Sequence, residues 1–291
     1  MHGWIILDKP LGLGSTQGVS AVKRALREGG YPKVKVGHGG TLDPLATGVL
    51  PIALGEATKL AGRMLDSDKV YEFTIGFGVE TDTLDLEGKV VAQSDVRPTM
   101  AQVEAVLPMF TGQIDQMPPA YSALKVDGER AYDLARTGEA VVLATRAIIV
   151  HSLRVAAGEQ VTFTAHVSKG TYIRSLARDI AVALGTVGHV TMLRRTKAGP
   201  FTLSNAISLD YLSEKAQARA LEDICLPMTA GLDDIPALPV TSDQAGLLRQ
   251  GRVLIGIAAH DGLHLAQDGN TPVALVELIA GEVRVVRGFN L

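Results

Sequence analysis

The sequence contains a single cysteine, Cys225, among its 291 residues. One thiol excludes a disulfide within the chain and a zinc site built from several cysteines, and it is typical of a reducing compartment. Low-complexity tracts are also absent. Charged residues make up 20% of the chain and hydrophobic residues 46%. This composition predicts an ample folded core and argues against disorder.

Segments that would direct the chain to a membrane are missing as well. The apolar run from Trp4 to Leu7 is followed at once by Asp8 and Lys9, which is not the pattern of a signal peptide. The apolar stretch 140–157 is interrupted by two arginines and a histidine, so we predict no membrane span there. We therefore expect a cytoplasmic protein that does not bind a membrane.

Several familiar catalytic patterns are absent. The chain has no phosphate-binding Gly-x-x-x-x-Gly-Lys loop and no dinucleotide-binding fingerprint. It has no Gly-x-Ser-x-Gly nucleophile elbow, and its seven histidines do not show the spacing of zinc ligands. What remains is an acid on a constrained loop, Asp43, a tyrosine at a strand end, Tyr71, and an arginine that opens a helix, Arg174.

The net charge of −3 does not indicate a nucleic-acid-binding protein, but the charges are unevenly distributed. Residues 166–200 carry six basic side chains against one acidic one, whereas residues 201–291 carry eleven acids against six bases. Phosphate binding depends on the local field, so the basic segment favours a phosphate-binding face. An ordinary solvated basic surface remains the alternative.

Four segments show helical patterns. Residues 15–28 and 56–65 each carry apolar side chains at helical spacing, and Thr99 with Gln102 forms a capping box ahead of a third helix. The clearest helix follows Thr171 and runs to about residue 184. We also expect residues 208–227 to form a charged helical connector.

Alternating residues predict strands at 71–79 and 161–167. Strands and helices alternate irregularly, which favours an α+β fold with a mixed, mostly antiparallel sheet and flanking helices over a doubly wound fold. Prolines at 236 and 239 suggest a boundary, and the short β-type segments beyond it define a β-rich appendage. We predict domains at 1–235 and 236–291, the second packed on the first because it is small.

The loop at residues 37–51 carries the most information. It holds one carboxylate, Asp43, and Pro44 directs that residue away from helical geometry. Its four glycines permit close approaches that a side chain would block. An isolated Asp-Pro would ordinarily close an Asx-turn or cap the next helix. Likewise a lone strand-end tyrosine is usually part of a core, and a lone helix arginine is usually solvated.

Six spaced motifs together resemble the TruB family of bacterial tRNA pseudouridine synthases. The motifs are Asp8–Pro10, Gly37–Pro51, Asp66–Tyr71, Thr81–Thr83 with Asp85 and Gly88, Pro118–Ala123 and Ser168–Arg174. The resemblance covers residues 3–200 in the correct order. Residues 236–291 resemble a short version of the PUA-type RNA-binding module of that family, in a weaker match.

The resemblance implies roles for individual residues. Asp43 would be the catalytic acid, Tyr71 the aromatic side chain beside the target base, and Arg174 the partner of the carboxylate. Three further residues would line the uridine pocket: His38, Tyr172 and Leu193. For the basic residues near these motifs we predict contacts with RNA phosphates, the alternative being a solvated surface: Lys9, Lys169, Arg194 and Arg195.

The chemistry of the implied reaction agrees with these residue types. Pseudouridine formation breaks the N1–C1′ bond, turns the uracil and joins C5 to C1′, so the reaction requires neither a metal nor a redox cofactor. A carboxylate can attack or stabilise a cationic C1′, and an adjacent arginine favours the ionised acid. Extruding the base costs a few kcal/mol, which stacking on Tyr71 offsets in part. Residue types leave direct attack on C1′ and a glycal route both open.

We therefore expect an enzyme that isomerises uridine 55 (tRNA numbering) in the T-loop, with the tRNA T-arm as its partner and no obligate protein partner. Two alternatives remain. One is an RNA-folding factor in which turnover is secondary, and the other is the related guide-RNA-dependent synthase of a multi-protein particle. A glycoside hydrolase is remote, because no second carboxylate sits in a matching motif.

Overall fold

The computed structural model describes residues 1–122, 143–156, 158 and 160–291, and between 122 and 143 only two short strands. Ala123 at the end of one motif, and residues 140–142 and 157 of the interrupted apolar stretch, lie outside the described residues. No helix in the described part of the chain is long and apolar enough to cross a membrane.

The described residues form strands and helices throughout the chain. The strands are β1 (Gly3–Lys9), β2 (Val36–His38), β3 (Ala46–Leu54), β4 (Lys69–Phe77), β5 (Val79–Thr81), β6 (Val90–Gln93), β7 (Gly112–Gln116), β8 (Lys125–Val126), β9 (Glu129–Arg130), β10 (Arg146–Ala156), β11 (Thr162–Val167), β12 (Gly188–Ala198), β13 (Phe201–Thr202), β14 (Leu226–Pro227), β15 (Ala237–Pro239), β16 (Leu254–Ile255), β17 (Gly262–Asp268), β18 (Thr271–Ile279) and β19 (Glu282–Gly288). The α-helices are α1 (Ser15–Glu28), α2 (Ala61–Asp66), α3 (Met100–Val106), α4 (Ile173–Ala183), α5 (Leu209–Gln217) and α6 (Ser242–Arg249).

A ten-stranded mixed sheet forms the larger part of the fold. Its main order is β14-β1-β3-β12-β4-β11-β10-β7, with β2 paired to β3 and β13 paired to β12. Strands β3 and β12 run parallel, and the other named pairs of this sheet are antiparallel. The predicted α+β class with a mixed, mostly antiparallel sheet is confirmed.

Helices cover the sheet through their apolar faces. In α1, Val22 and Leu26 join the core that contains Leu50 of β3, and α5 packs into the same cluster. In α4, Leu176 and Ile180 join a second core around the stacked rings of Phe73 and Phe163. The predicted helices at 15–28 and after Thr171 are confirmed, as is the capping box of α3.

Three predicted elements differ in extent from the structure. Residues 56–65 begin as a 3₁₀ turn, Gly55–Leu60, and become α-helical only at Ala61. The predicted connector helix at 208–227 stops at Gln217, shortly before Arg219 enters the left-handed region with φ 53°. The predicted strand 71–79 divides at Gly78, whose φ of 94° breaks the extended backbone.

The C-terminal residues form a five-stranded sheet of order β15-β17-β18-β19-β16, with α6 packed against it. Leu275 and Phe289 from this segment share a buried cluster with Trp4 of β1. Lys59 Nζ donates to the Gly288 carbonyl at 2.9 Å, at the same junction. The prediction that this segment packs on the rest of the chain is confirmed, whereas the domain limits at residue 235 stay a prediction.

Candidate active site

The loop between β2 and β3 holds Asp43 in a fixed backbone frame. The buried Ser15 hydroxyl accepts from the Leu42 amide at 2.8 Å and donates to the Leu42 carbonyl at 2.9 Å. The Pro44 carbonyl accepts from the Gly12 amide at 2.8 Å, and the Asp43 carbonyl accepts from the Ala46 amide at 3.0 Å. Hydrogen bonds to Gly12 and Ser15, at the start of α1, therefore hold Pro44 and Leu42, the two neighbours of Asp43. These bonds fix the backbone from which the Asp43 carboxylate extends.

Two fully buried cations support this loop from beneath. Lys9 Nζ donates to the carbonyls of Pro10, Leu13 and Pro44 at 3.1, 2.6 and 3.2 Å. Burial lowers the pKa of Lys9 to about 8; the nearby Asp43 raises it and Arg195 lowers it. Arg195 donates to three more carbonyls at 2.8 to 3.3 Å, those of Val49, Thr41 and Gly40.

The carboxylate of Asp43 meets Arg174 at the start of α4. Arg174 Nη2 lies 3.0 Å from Asp43 Oδ2, and the side chains are 8% and 44% exposed respectively. The arginine is thus enclosed by protein, whereas the acid faces an open space. The two residues therefore lie in contact, as the resemblance implied, while their catalytic roles stay a prediction.

Arg174 is itself held from two other sides. Its Nη1 donates to the Thr83 carbonyl at 2.8 Å, and its Nη2 donates to the Tyr121 carbonyl at 3.0 Å. Asp85 Oδ2 lies 3.5 Å from Nη1 and is almost buried. Asp85 in turn accepts from the Thr83 hydroxyl at 2.5 Å and from the Glu87 amide at 3.0 Å.

Sequence analysis assigned no role to Asp85. The available signal was the motif of residues 81–88, in which Asp85 stands, but residue type alone did not indicate a contact with α4. The backbone around it is unusual, because the preceding Leu84 has a φ of 62° and is buried. Non-glycine residues rarely adopt this conformation. Asp85, the next residue, lies beside Arg174.

A cavity of about 530 Å³ opens above Asp43. Arg174 lines it together with three residues predicted for the site, Tyr71, Tyr172 and Leu193. Tyr71 and Leu193 reach it from the adjacent strands β4 and β12, in which Leu193 lies next to Phe73. The volume falls within the range of small-ligand pockets, so a single nucleotide base has room to enter.

Tyr172 is positioned by a side chain that sequence analysis missed. Fully buried Gln116 accepts from the Tyr172 amide at 2.8 Å and donates to the Tyr172 carbonyl at 3.1 Å. The Arg146 guanidinium lies 5.0 Å from the centre of the Tyr172 ring. These contacts fix the residue that precedes α4, and nothing in the local sequence pattern singled out a glutamine for that purpose.

His38 lies on β2, and it is not among the described residues that line the Asp43 cavity. Burial lowers the pKa of His38, and the nearby charge of Arg195 lowers it further. Its Nδ1 is buried without a hydrogen-bond partner in the described part of the chain. The predicted contact of His38 with uridine therefore stays a prediction.

The four residues predicted to contact RNA phosphates fall into two groups. Lys169 is exposed and pairs with Asp66 at 2.8 Å, and Arg194 is partly exposed and binds both carboxylate oxygens of Asp8 at 3.0 and 2.8 Å. Lys9 and Arg195 are fully buried and use their donors on backbone carbonyls. This geometry does not fit a phosphate contact, because neither group reaches the surface.

The arrangement suits nucleophilic or electrostatic catalysis by one carboxylate. A buried guanidinium that already has carbonyl partners presents a fixed donor to Asp43, which orients the carboxylate. The aromatic ring of Tyr71 and the side chain of Leu193 offer apolar surface beside that acid. Such a cavity can hold a planar, uncharged group against a carboxylate.

Comparison with known proteins shows the family of the chain. Residues 25–173 match the model of the TruB family pseudouridylate synthase N-terminal domain, and residues 174–233 match that of the tRNA pseudouridylate synthase B C-terminal domain. The tRNA pseudouridine synthase B of Novosphingobium aromaticivorans is 65% identical, over 100% of this chain and 98% of that protein. That of Caulobacter vibrioides is 48% identical, over 100% of this chain and 97% of that protein.

Solved structures show the same fold. A Cbf5-Nop10-Gar1 complex contains a chain that aligns with a TM-score of 0.75 and 28% identity, over 99% of this chain and 85% of that one. An H/ACA RNP bound to a substrate RNA containing 2′-deoxyuridine aligns with a TM-score of 0.73 and 25% identity, over 99% and 85%. The chain belongs to the TruB family of pseudouridylate synthases, and it is therefore an enzyme of the isomerase class.

Proposed function

We propose that this enzyme converts uridine to pseudouridine in the T-loop of tRNA, at position 55 in tRNA numbering, with Asp43 acting on a flipped-out uridine. The observation that carries the proposal is the contact of 3.0 Å between Arg174 Nη2 and Asp43 Oδ2 at the floor of an open cavity. The relatives named tRNA pseudouridine synthase B support the choice of tRNA as substrate.

The proposed reaction begins with extrusion of the uridine from the folded T-loop. Unstacking costs a few kcal/mol, and stacking of the base on the Tyr71 ring returns roughly 1–3 kcal/mol. Tyr71 and Leu193 line the cavity on the sheet side, and Tyr172 lines it beside α4. The base would thus enter a partly apolar cavity whose polar floor is the Asp43 carboxylate.

The carboxylate then acts at C1′ of the flipped nucleotide. Asp43 either bonds to C1′ or stabilises the charge that develops as the N1–C1′ bond breaks, and uracil turns so that C5 rejoins C1′. Arg174 keeps the acid oriented throughout, because its other donors are fixed on the Thr83 and Tyr121 carbonyls. In the last step the proton leaves C5, for which the Tyr71 hydroxyl is the proposed aid, and N1, freed when the N1–C1′ bond breaks, takes up a proton.

We propose that the enzyme acts on the T-arm in the cytoplasm without an obligate protein partner. The alternative is action inside a guide-RNA particle, and the fold similarity to the Cbf5 complexes gives it some support. The full-length match to the synthase B relatives, at up to 65% identity, favours the stand-alone enzyme. We further propose that residues 236–291 form a PUA-like domain, packed on the rest of the chain, that adds RNA contacts.

Mass-resolved mapping of uridine isomers in tRNA tests the proposal. Unmodified tRNA is incubated with the purified protein alone, and each uridine position is then scored for pseudouridine. We expect conversion at position 55 and not elsewhere. Conversion at a different position, or conversion only after guide RNA and partner proteins are added, would contradict the proposed substrate.

A further inference from the structure

Two histidines and an aspartate meet at a surface that the proposed reaction does not use. His151 lies on β10, His166 lies on β11, and Asp68 directly precedes β4. His151 Nε2 and His166 Nε2 lie 3.0 and 3.8 Å from the same atom, Asp68 Oδ2. Their spacing in the sequence gave no sign of this cluster, because each residue comes from a different strand region.

A β-bulge brings the two imidazoles together. Val150 pairs with Val167 and Ser152 pairs with His166, so His151 is an extra residue in β10. Bulges of this kind redirect a side chain and are common beside functional sites. As a result the two rings lie on one face with their centres 4.6 Å apart, tilted by 44°.

The distances match those between ligands of one metal ion. A tetrahedral zinc site with bonds of about 2.0–2.1 Å separates its ligand atoms by roughly 3.4 Å. The two Nε2–Oδ2 distances of 3.0 and 3.8 Å lie on either side of that value, and all three ligand atoms lie within 4.8 Å of one another.

The surroundings leave the three side chains accessible to an ion. All three side chains are partly exposed, so an ion has a path of entry and positions left for water. The charge of Lys197 opposes a cation beside His166, whereas the carboxylate of Asp68 attracts one. Asp68 also lines an adjacent cavity of about 450 Å³, together with Asp233 and Asp234.

We propose that Asp68, His151 and His166 form a site for a divalent transition-metal ion, with Zn²⁺ the best fit. Two imidazole nitrogens and one carboxylate oxygen are ligands that zinc accepts, and water would complete the coordination. A bound ion would tie the start of β4, three residues before Tyr71, to β10 and β11. The site is separate from the Asp43 cavity, and it does not depend on the proposed reaction.

Zinc binding to the full-length, untagged protein tests this inference. Metal-stripped protein is titrated with ZnCl₂ by isothermal titration calorimetry, and bound zinc is counted by elemental analysis after dialysis. We expect one Zn²⁺ per chain. His151→Gln and His166→Gln should each weaken zinc binding at least ten-fold, since even changes outside the ligand shell cost 10- to 100-fold at zinc sites.

The matched control is His260→Gln, which changes an exposed histidine outside the cluster. This variant should bind zinc as the unmodified protein does. Circular dichroism and thermal melting without metal establish that each variant is folded before titration. Absence of stoichiometric zinc in the unmodified protein, or equal binding by the folded His166→Gln variant, would overturn the assignment.

Discussion

At the scale of single residues, the division between buried and exposed charge defines the active site. Arg174 is enclosed and Asp43 is open, so the cation is fixed and the anion is available. A buried guanidinium is costly unless its donors are satisfied, and here two carbonyls and Asp85 satisfy it. The site is consequently organised before any substrate arrives.

Two substitutions of Tyr71 test its proposed roles in base stacking and in proton transfer separately. Tyr71→Ala removes the ring, so binding of a T stem-loop should weaken roughly 5- to 150-fold, the equivalent of about 1–3 kcal/mol of stacking. Tyr71→Phe keeps the ring and should bind as the unmodified enzyme does while turning over more slowly. Fluorescence anisotropy measures binding, and single-turnover assays measure the rate. Equal binding by the alanine and unmodified enzymes would contradict a stacking role.

The lowered pKa of Lys9 predicts that the free energy of unfolding depends on pH. Its pKa in the folded protein is lowered from the ordinary value of 10.5 to about 8, because burial disfavours the charged form. Between these values the unfolded chain binds a proton that the folded chain does not, so the free energy of unfolding should rise with pH. Below about pH 8 both states are protonated, and this contribution is constant.

Urea unfolding at pH 7.5 and pH 9.5 measures this effect. The rise in the free energy of unfolding should be smaller in Lys9→Met than in the unmodified protein. Lys23→Met, which replaces an exposed lysine of α1, should leave the rise unchanged. An identical rise in Lys9→Met would show that Lys9 does not titrate in this range.

The roles of single residues were predictable where a local pattern marked them. Asp43 stands between glycines and a proline, and Arg174 follows a loop that opens a helix, so local patterns singled out both residues. Their roles came from the resemblance of the surrounding motifs to the TruB family, and these roles stay a prediction. Lys9 and Arg195 were assigned to phosphates because a sequence pattern does not distinguish a buried cation from an exposed one. Their partners are backbone carbonyls, and several of these, such as Pro44 for Lys9 and Val49 for Arg195, lie far away in the sequence.

At the scale of elements, the parallel contact between β3 and β12 positions the site. Arg195 pairs with Gly48 across this contact, and Leu193 pairs with Ala46. Gly48 has a φ of 101°, and a Cβ on it would lie 2.1 Å from the Arg195 carbonyl oxygen. Only glycine permits the two strands to approach so closely, and this approach sets Leu193 beside Asp43.

Gly48→Ala should therefore destabilise the protein by more than about 2 kcal/mol, through backbone strain and the displacement of β12. Gly62→Ala is the matched control, because Gly62 lies in α2 with no atom within 4 Å of its added Cβ. The control should be neutral or stabilising by up to about 1 kcal/mol. Urea denaturation compares the two, and equal stability of both variants would refute this account of the strand contact.

The elements differ in how far sequence predicted them. Helices α1 and α4 were predicted because their apolar residues recur at helical spacing over more than two turns. Strand β12 was not predicted, since its charged residues Arg194, Arg195 and Lys197 mask the alternation and two register shifts interrupt it. Strand β3 is buried along nearly its whole length, so it reads as a continuous apolar run rather than an alternating one.

At the scale of the whole molecule, the C-terminal sheet shares a core with the main sheet. Phe289 is 1% exposed and belongs to the same cluster as Trp4. Two sheets joined by a common apolar cluster are expected to unfold together rather than as independent parts. The sequence predicted the C-terminal appendage and its packing on the rest of the chain. The residues that meet at the junction could not be predicted, because they come from distant parts of the sequence.

Phe289→Ala should destabilise the protein by about 3–5 kcal/mol, since it removes a large buried ring. Leu291→Ala, two residues further on and 48% exposed, should change stability by less than about 0.5 kcal/mol. Thermal unfolding followed by circular dichroism and by Trp4 fluorescence should give one coincident transition. Separate transitions, or equal effects of the two substitutions, would contradict a shared core.

The central claim is that the Asp43 carboxylate performs the chemistry, and Asp43→Asn tests it most directly. The amide keeps the size of the side chain but cannot attack or stabilise C1′ as an anion. Conversion of uridine in a T stem-loop should fall at least 1,000-fold, an order-of-magnitude estimate, while RNA binding stays within about three-fold. Asp95→Asn, an exposed control, should keep full activity. Retained turnover by Asp43→Asn would contradict the account.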